Sequence, residues 1–110
     1  MASTPKKMAD SQYLPNAAAI VYTAGAVKQA VVKELFLCNQ NAAPVTITVY
    51  YVPSGGSAGG SNTLYSAYTL QAGETQRFST STVLLPGDFI SWLASVASAV
   101  VGRISGIEYT

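Results

Sequence analysis

Residues 45–52, Val-Thr-Ile-Thr-Val-Tyr-Tyr-Val, alternate apolar and polar side chains at period two between two groups of turn formers, Asn39-Gln-Asn-Ala-Ala-Pro44 and Pro53-Ser-Gly-Gly-Ser-Ala-Gly-Gly-Ser-Asn62. That rhythm describes a strand with one face buried and one wet, with Val45, Ile47, Val49 and Tyr51 pointing inward. The same rhythm recurs along most of the chain, so the whole is expected to be a sheet protein.

Further strands are expected at Ala19 to Thr23, Val27 to Asn39, Thr63 to Leu70, Glu74 to Ser79, Thr82 to Leu85, Phe89 to Ala94 and Val100 to Tyr109. Gly73 and the Pro86-Gly87-Asp88 run supply the reversals between them. The long strand ending at Asn39 places Val31, Lys33, Leu35 and Leu37 on one face and Val32, Glu34, Phe36 and Cys38 on the other. Both sets are apolar toward the C-terminal half, which suits a central strand or one that bends across two sheets. Leu93 to Val101 is rich in alanine, but its serines and its place between two strand patterns predict a loop or hairpin. Seven or eight short strands without a strong helical pattern predict a single-domain, all-β, antiparallel β-sandwich, of jelly-roll or Ig-like type, over residues 17–110. Residues 1–16 contain Pro5 and Pro15 and show no periodicity, so they read as an extended N-terminal arm outside the core.

Residues that do chemistry are scarce. Histidine is absent, which removes the commonest general base and the commonest zinc ligand together. The single Cys38 forms no internal bridge, and its apolar neighbours Phe36 and Leu37 predict a buried, inert thiol. Asp10, Glu34, Glu74, Asp88 and Glu108 are scattered one to a segment and form no motif. Gly55-Gly-Ser-Ala-Gly-Gly60 lacks the Gly-Lys-Ser or Gly-Lys-Thr ending of a phosphate loop and reads as a flexible hairpin loop, mobile unless a partner orders it. Gly102 and Gly106 flank Arg103, so their spacing reads as room for a closely approaching strand or chain and not as a membrane helix motif. Trp92 reads as core. No enzymatic activity, no cofactor and no metal are expected.

Charge narrows the partners. The net charge is +1, and without residues 1–16 the basic and acidic side chains balance, so nucleic acid is not an expected ligand. The longest apolar stretch, Trp92 to Val101, is too short to span a bilayer, and Met1 to Asp10 has charge without an apolar run behind it, so neither membrane nor leader is expected. Only 10% of residues are charged, against about 25% in ordinary soluble domains. A chain so poor in charge suits a life packed among other subunits. Lys6 and Lys7, with Tyr13 and Leu14 as apolar anchor, are the candidate contacts of the arm with an acidic neighbour, and deleting residues 1–15 is expected to weaken assembly while leaving folding intact. Tyr50 and Tyr51 point to opposite faces beside the glycine run, close to Tyr65 and Tyr68, and Tyr50 is the candidate exposed contact, for a protein surface or a sugar.

Ala30-Val-Val-Lys-Glu-Leu-Phe-Leu-Cys-Asn39, Val45-Thr-Ile-Thr-Val-Tyr-Tyr-Val-Pro-Ser-Gly-Gly56, Leu70-Gln-Ala-Gly-Glu74, Leu85-Pro-Gly-Asp-Phe-Ile90 and Ile104-Ser-Gly-Ile-Glu108 together resemble a group of small tailed-bacteriophage structural proteins. The resemblance covers nearly all of residues 17–110, and its motifs are turn and core features. It implies a β-sandwich subunit of a virion: a capsid decoration or cement protein on the capsid surface, binding the major capsid protein, assembled in the host cytoplasm and acting as a homo-oligomer, a trimer in many cases. A tail or fibre adaptor is the alternative it leaves open, and a carbohydrate-binding module is a third reading. It carries over no catalytic residue, and Gly55 to Gly60 receive no site.

Overall fold

In a computed structural model, which describes residues 3–25 and 29–109, the chain forms eight strands: β1 (Ser3–Tyr13), β2 (Ala19–Thr23), β3 (Gln29–Asn39), β4 (Val45–Val52), β5 (Thr63–Leu70), β6 (Thr75–Leu84), β7 (Phe89–Ala94) and β8 (Val100–Tyr109). They make two antiparallel four-stranded sheets in the orders β1-β8-β3-β6 and β2-β7-β4-β5. Consecutive strands therefore cross between layers, except for the β4–β5 hairpin, and the order is that of an eight-stranded jelly roll. Val27, the expected start of the long strand, lies outside the described residues.

Strand β4 lies between β7 and β5, paired on both sides. Val45, Ile47 and Val49 are buried as its alternation requires, and Tyr51, paired with the buried Ile90, packs against the same core. Val52 is buried as well, yet on the outer side. There the glycine loop covers it, with the backbone so near that a Cβ on Gly56 would stand 3.3 Å from a Val52 methyl. Trp92, 1% exposed, is the largest side chain of the core. The segment between β7 and β8 is a loop, as its serines indicate.

The faces of β3 do not run in parallel through its length, because a bulge between Val32 and Glu34 inserts one residue against β8, while at the same place β6 carries one residue more than β3. The extra residue reverses the parity, so Ala30 and Val32 share the buried side with Leu35 and Leu37. Glu34, Phe36 and Cys38 face out, and Cys38 is half-buried on the outer surface instead of enclosed. The segment from Thr75 to Leu84 is likewise one strand and not two.

The N-terminal segment, expected as an arm outside the core, is strand β1, paired with β8 along Ser3↔Tyr109 to Tyr13↔Val101. Register shifts on either side of Ala9 bulge it, which is why Met8 and Ala9 can both be buried although adjacent. Pro5 fits because β1 is an edge strand, where one missing N–H costs no ladder bond. Its partner strand makes room for it: a Cβ on Gly102 would stand 2.7 Å from Leu14 Cδ1 and 2.9 Å from Trp92, and one on Gly106 would collide with the Val31 carbonyl and stand 2.6 Å from Met8 Cε. The close approach expected at these two glycines is made by β1 and β3 of the same chain.

Candidate functional site

The five residues expected to meet a partner do not form one site. Leu14 is fully buried in the chain's own core, its amide donating to the Val100 carbonyl at 2.8 Å, so it is unable to anchor on a neighbour. Tyr13 at the end of β1 is 51% exposed and donates its hydroxyl to Gln40 Oε1 at 3.0 Å. Tyr50 is half-buried in the other sheet, opposite Ser91 of β7 and Thr63 of β5. Its tyrosine neighbours are engaged within the fold: Tyr65 and Tyr68 pack on Phe78 with ring centroids at 4.3 and 5.1 Å, and Tyr51 donates to Asp88. Burial pushes the Tyr65 hydroxyl above its ordinary pKa of 10.0, as it does, with help from the neighbouring carboxylate, for Tyr51.

Lys6 and Lys7 meet residues that sequence reasoning had not joined to them. With Lys33 of β3 and Arg103 of β8 they rim an open concavity of about 530 Å³ on the outer face of the β1-β8-β3-β6 sheet, with Phe36 and Pro5 among its lining. The register explains the gathering, since Phe36 is paired with Arg103 across β3 and β8, and Lys7 with Ser105 across β1 and β8. The guanidinium of Arg103 lies 4.8 Å from the centroid of the Phe36 ring, a cation–π contact. Among the described residues the one ion pair is Lys7 to Asp10 at 2.9 Å, between well-exposed side chains, and such a pair contributes little. A lysine within an otherwise apolar set, Lys33 beside Val31 and Leu35, was the available sign that β3 is bulged and that Lys33 faces out.

Two polar clusters hold the ends of the sandwich. At one end Asn39, fully buried, donates through Nδ2 to the carbonyls of Ala43, Leu70 and Gln71 at 3.0 to 3.2 Å and accepts from the Asn41 amide at 2.9 Å, tying the β3–β4 and β5–β6 turns together. At the other, Asp88, 7% exposed, accepts from the amides of Ser54 at 2.9 Å and Leu85 at 3.0 Å and from the Tyr51 hydroxyl at 3.1 Å. Burial alone would raise the Asp88 pKa; those three donors outweigh it and hold the carboxyl below its ordinary 3.8. The bond from Ser54 also fixes the start of the glycine run. Asn62 fixes its end, accepting from the Gly59 amide and donating to the Ser57 carbonyl, so the loop expected to be mobile has internal ties at both ends. Between the sheets Tyr22 donates its hydroxyl to Glu108, and burial first, then that carboxylate, pushes its pKa well up. These groups are each satisfied by a partner in the fold and serve its architecture. Among the described residues no group of three or more Cys, Asp or Glu stands together as a metal site.

The chain matches no protein-family profile and no curated protein sequence. Its fold is shared with solved structures. A subunit from the disulfide-linked pili of Bacillus endospore appendages superposes with a TM-score of 0.60 at 17% identity, covering 98% of this chain and 88% of that one. Chains from the Gx and Gt strains of infectious bursal disease virus give TM-scores of 0.58 and 0.57 at 11% identity, again over 98% of this chain but 33% of theirs. At such identities the likeness shows a common fold.

Proposed function

We propose that this chain is a non-enzymatic structural subunit of a virion, a capsid decoration protein that binds the major capsid shell as a closed homo-oligomer. The observation that carries the reading is the state of the sheet edges. Tyr13 on β1, Ile20 on β2, Tyr68 on β5 and Val83 on β6 are 51%, 61%, 38% and 44% exposed, so every edge strand presents a large apolar side chain to the outside. Monomeric sheet proteins blunt such edges with charge and proline; here β1 has Pro5, Lys6, Lys7 and Asp10 and β6 has Arg77, but β2 and β5, the two edges of the other sheet, carry no charge at all. Neighbouring subunits laid along the edges would cover them. The sequence resemblance to phage structural proteins and the fold shared with chains of a virus support the virion setting. A filament subunit is the second reading, favoured by the pilus protein being matched over most of its own length.

Sedimentation velocity over a wide concentration range, followed by electron microscopy of the same sample, tests the proposal. A discrete closed oligomer, a trimer in the first instance, is the expected result. Open-ended fibres would move the assignment to the filament reading, and a monomer at every concentration that also fails to bind the source particle would overturn both.

A further inference from the structure

We infer that the concavity rimmed by Lys6, Lys7, Lys33 and Arg103 is a docking groove for an acidic, extended segment of a different polypeptide. The inference rests on the assembly reading above and names the chemistry of one contact within it.

Asp10 is paired with Lys7, Glu74 accepts from the Gln71 amide at 2.7 Å, Asp88 is buried, and Glu108 takes the hydroxyl of Tyr22. The fifth carboxylate, Glu34, lies on the same sheet face as the groove, opposite Ser105. A second copy of this chain therefore offers isolated carboxylates and, among the described residues, no cluster of them to match four cations, so the complement comes from another molecule. The groove's own cations are open to it: Lys33 and Arg103 are exposed and have no carboxylate partner among the described residues. Arg103 lies over the Phe36 ring, a contact that uses its charge and leaves its N–H donors for a ligand.

The lining decides between a polypeptide and a polyphosphate chain. Phe36 and Pro5 sit among the cations, and Asp10 and Glu34 lie close to them, which opposes the approach of a uniformly anionic strand. A body with balanced charge gives such a strand no further track. An extended segment that alternates carboxylates with apolar side chains matches both features, charge against Lys and Arg and hydrocarbon against the ring and the proline.

The test is a titration of ¹⁵N-labelled full chain with an acetylated, amidated heptapeptide alternating glutamate and valine. Saturable amide shifts are expected at Lys6, Lys7, Lys33, Phe36 and Arg103, weakened about tenfold or more in the double variant Lys33→Gln, Arg103→Gln and reduced by added salt. Both substituted side chains are exposed, so the variant's remaining spectrum reports an intact fold. Absence of saturable shifts in the groove overturns the inference. So does tighter binding of an oligothymidylate of the same charge, or the same shifts arising from protein concentration alone, which would make the face a nucleic-acid or self-contact surface. Failure here with the oligomer intact leaves the assembly reading standing, and loss of the oligomer with peptide binding retained does the reverse.

Discussion

Removal of residues 1–14 is expected to unfold the protein, not merely to loosen its assembly. Those residues read in sequence as a detachable arm, yet they contribute Met8, Ala9 and Leu14 to the core and cover the inner face of β8 at Gly102 and Gly106. Losing one buried leucine alone costs about 2 to 5 kcal/mol. Adding Met8 and the whole β1–β8 ladder brings the loss to about 5 kcal/mol or more, which equals the entire net stability of many domains of this size. Urea melts followed by tryptophan fluorescence check this, because Trp92 lies at the same place in the core and reports directly on its exposure. The paired control, Lys6→Gln with Lys7→Gln, should stay within about 0.5 kcal/mol of the parent, since both lysines are exposed. A soluble, cooperatively folding truncation would show that β1 is dispensable. A companion variant forces β8 from its other neighbour, β3: Gly106→Ala drives a methyl into the Val31 carbonyl, and a backbone atom has no rotamer by which to yield.

Asp88→Ala is expected to cost about 4 kcal/mol, the range seen when one member of a buried, charge-assisted network is removed and its partners are left without an acceptor. The amides of Ser54 and Leu85 and the hydroxyl of Tyr51 lose their acceptor together, and with them go the start of the glycine loop and the β6–β7 turn. Asp88→Asn keeps one acceptor oxygen and should recover part of the loss. The pH dependence follows from the direction of the shift. The folded carboxyl titrates below the ordinary 3.8, so its contribution is fully present above that value and is lost as pH falls through the lower, folded pKa. Parent and Asp88→Asn melts should therefore differ most at neutral pH and converge in acid below the ordinary carboxylate range. A difference that held constant down to pH about 2, where carboxylates are protonated, would mean that the charge on Asp88 has no part in the effect.

The strands were legible where their alternation is unbroken. Val45, Ile47 and Val49, Trp92 in the core and the turn at Gly73, whose φ is +74°, follow from period two and from turn chemistry. What was not legible lies where a bulge breaks the period. One extra residue of β3 against β8 after Val32 exchanged the two faces of β3, and bulges around Ala9, with Pro5 earlier in the strand, erased the rhythm by which β1 would have been recognised. The charged groove was hidden for a related reason. Lys6, Lys33 and Arg103 are far apart in the chain, and only the β1-β8-β3 order and its register bring them to one place. Tyr13, read as the arm's anchor beside the lysines, lies at the far end of β1 from them, and Tyr50, read as a separate exposed contact, is in the other sheet.

Ser3 pairs with Tyr109, so the first strand has no template until the last has been made. During synthesis Met8 and Leu14 stay uncovered until β8 has followed, and closure of the sandwich joins segments distant in sequence. Such long-range pairing is intrinsically slow and leaves strand edges open to intermolecular capture. Yield on expression should accordingly be governed by the competition between that last closure and aggregation, and slower synthesis at lower temperature should favour the closed product.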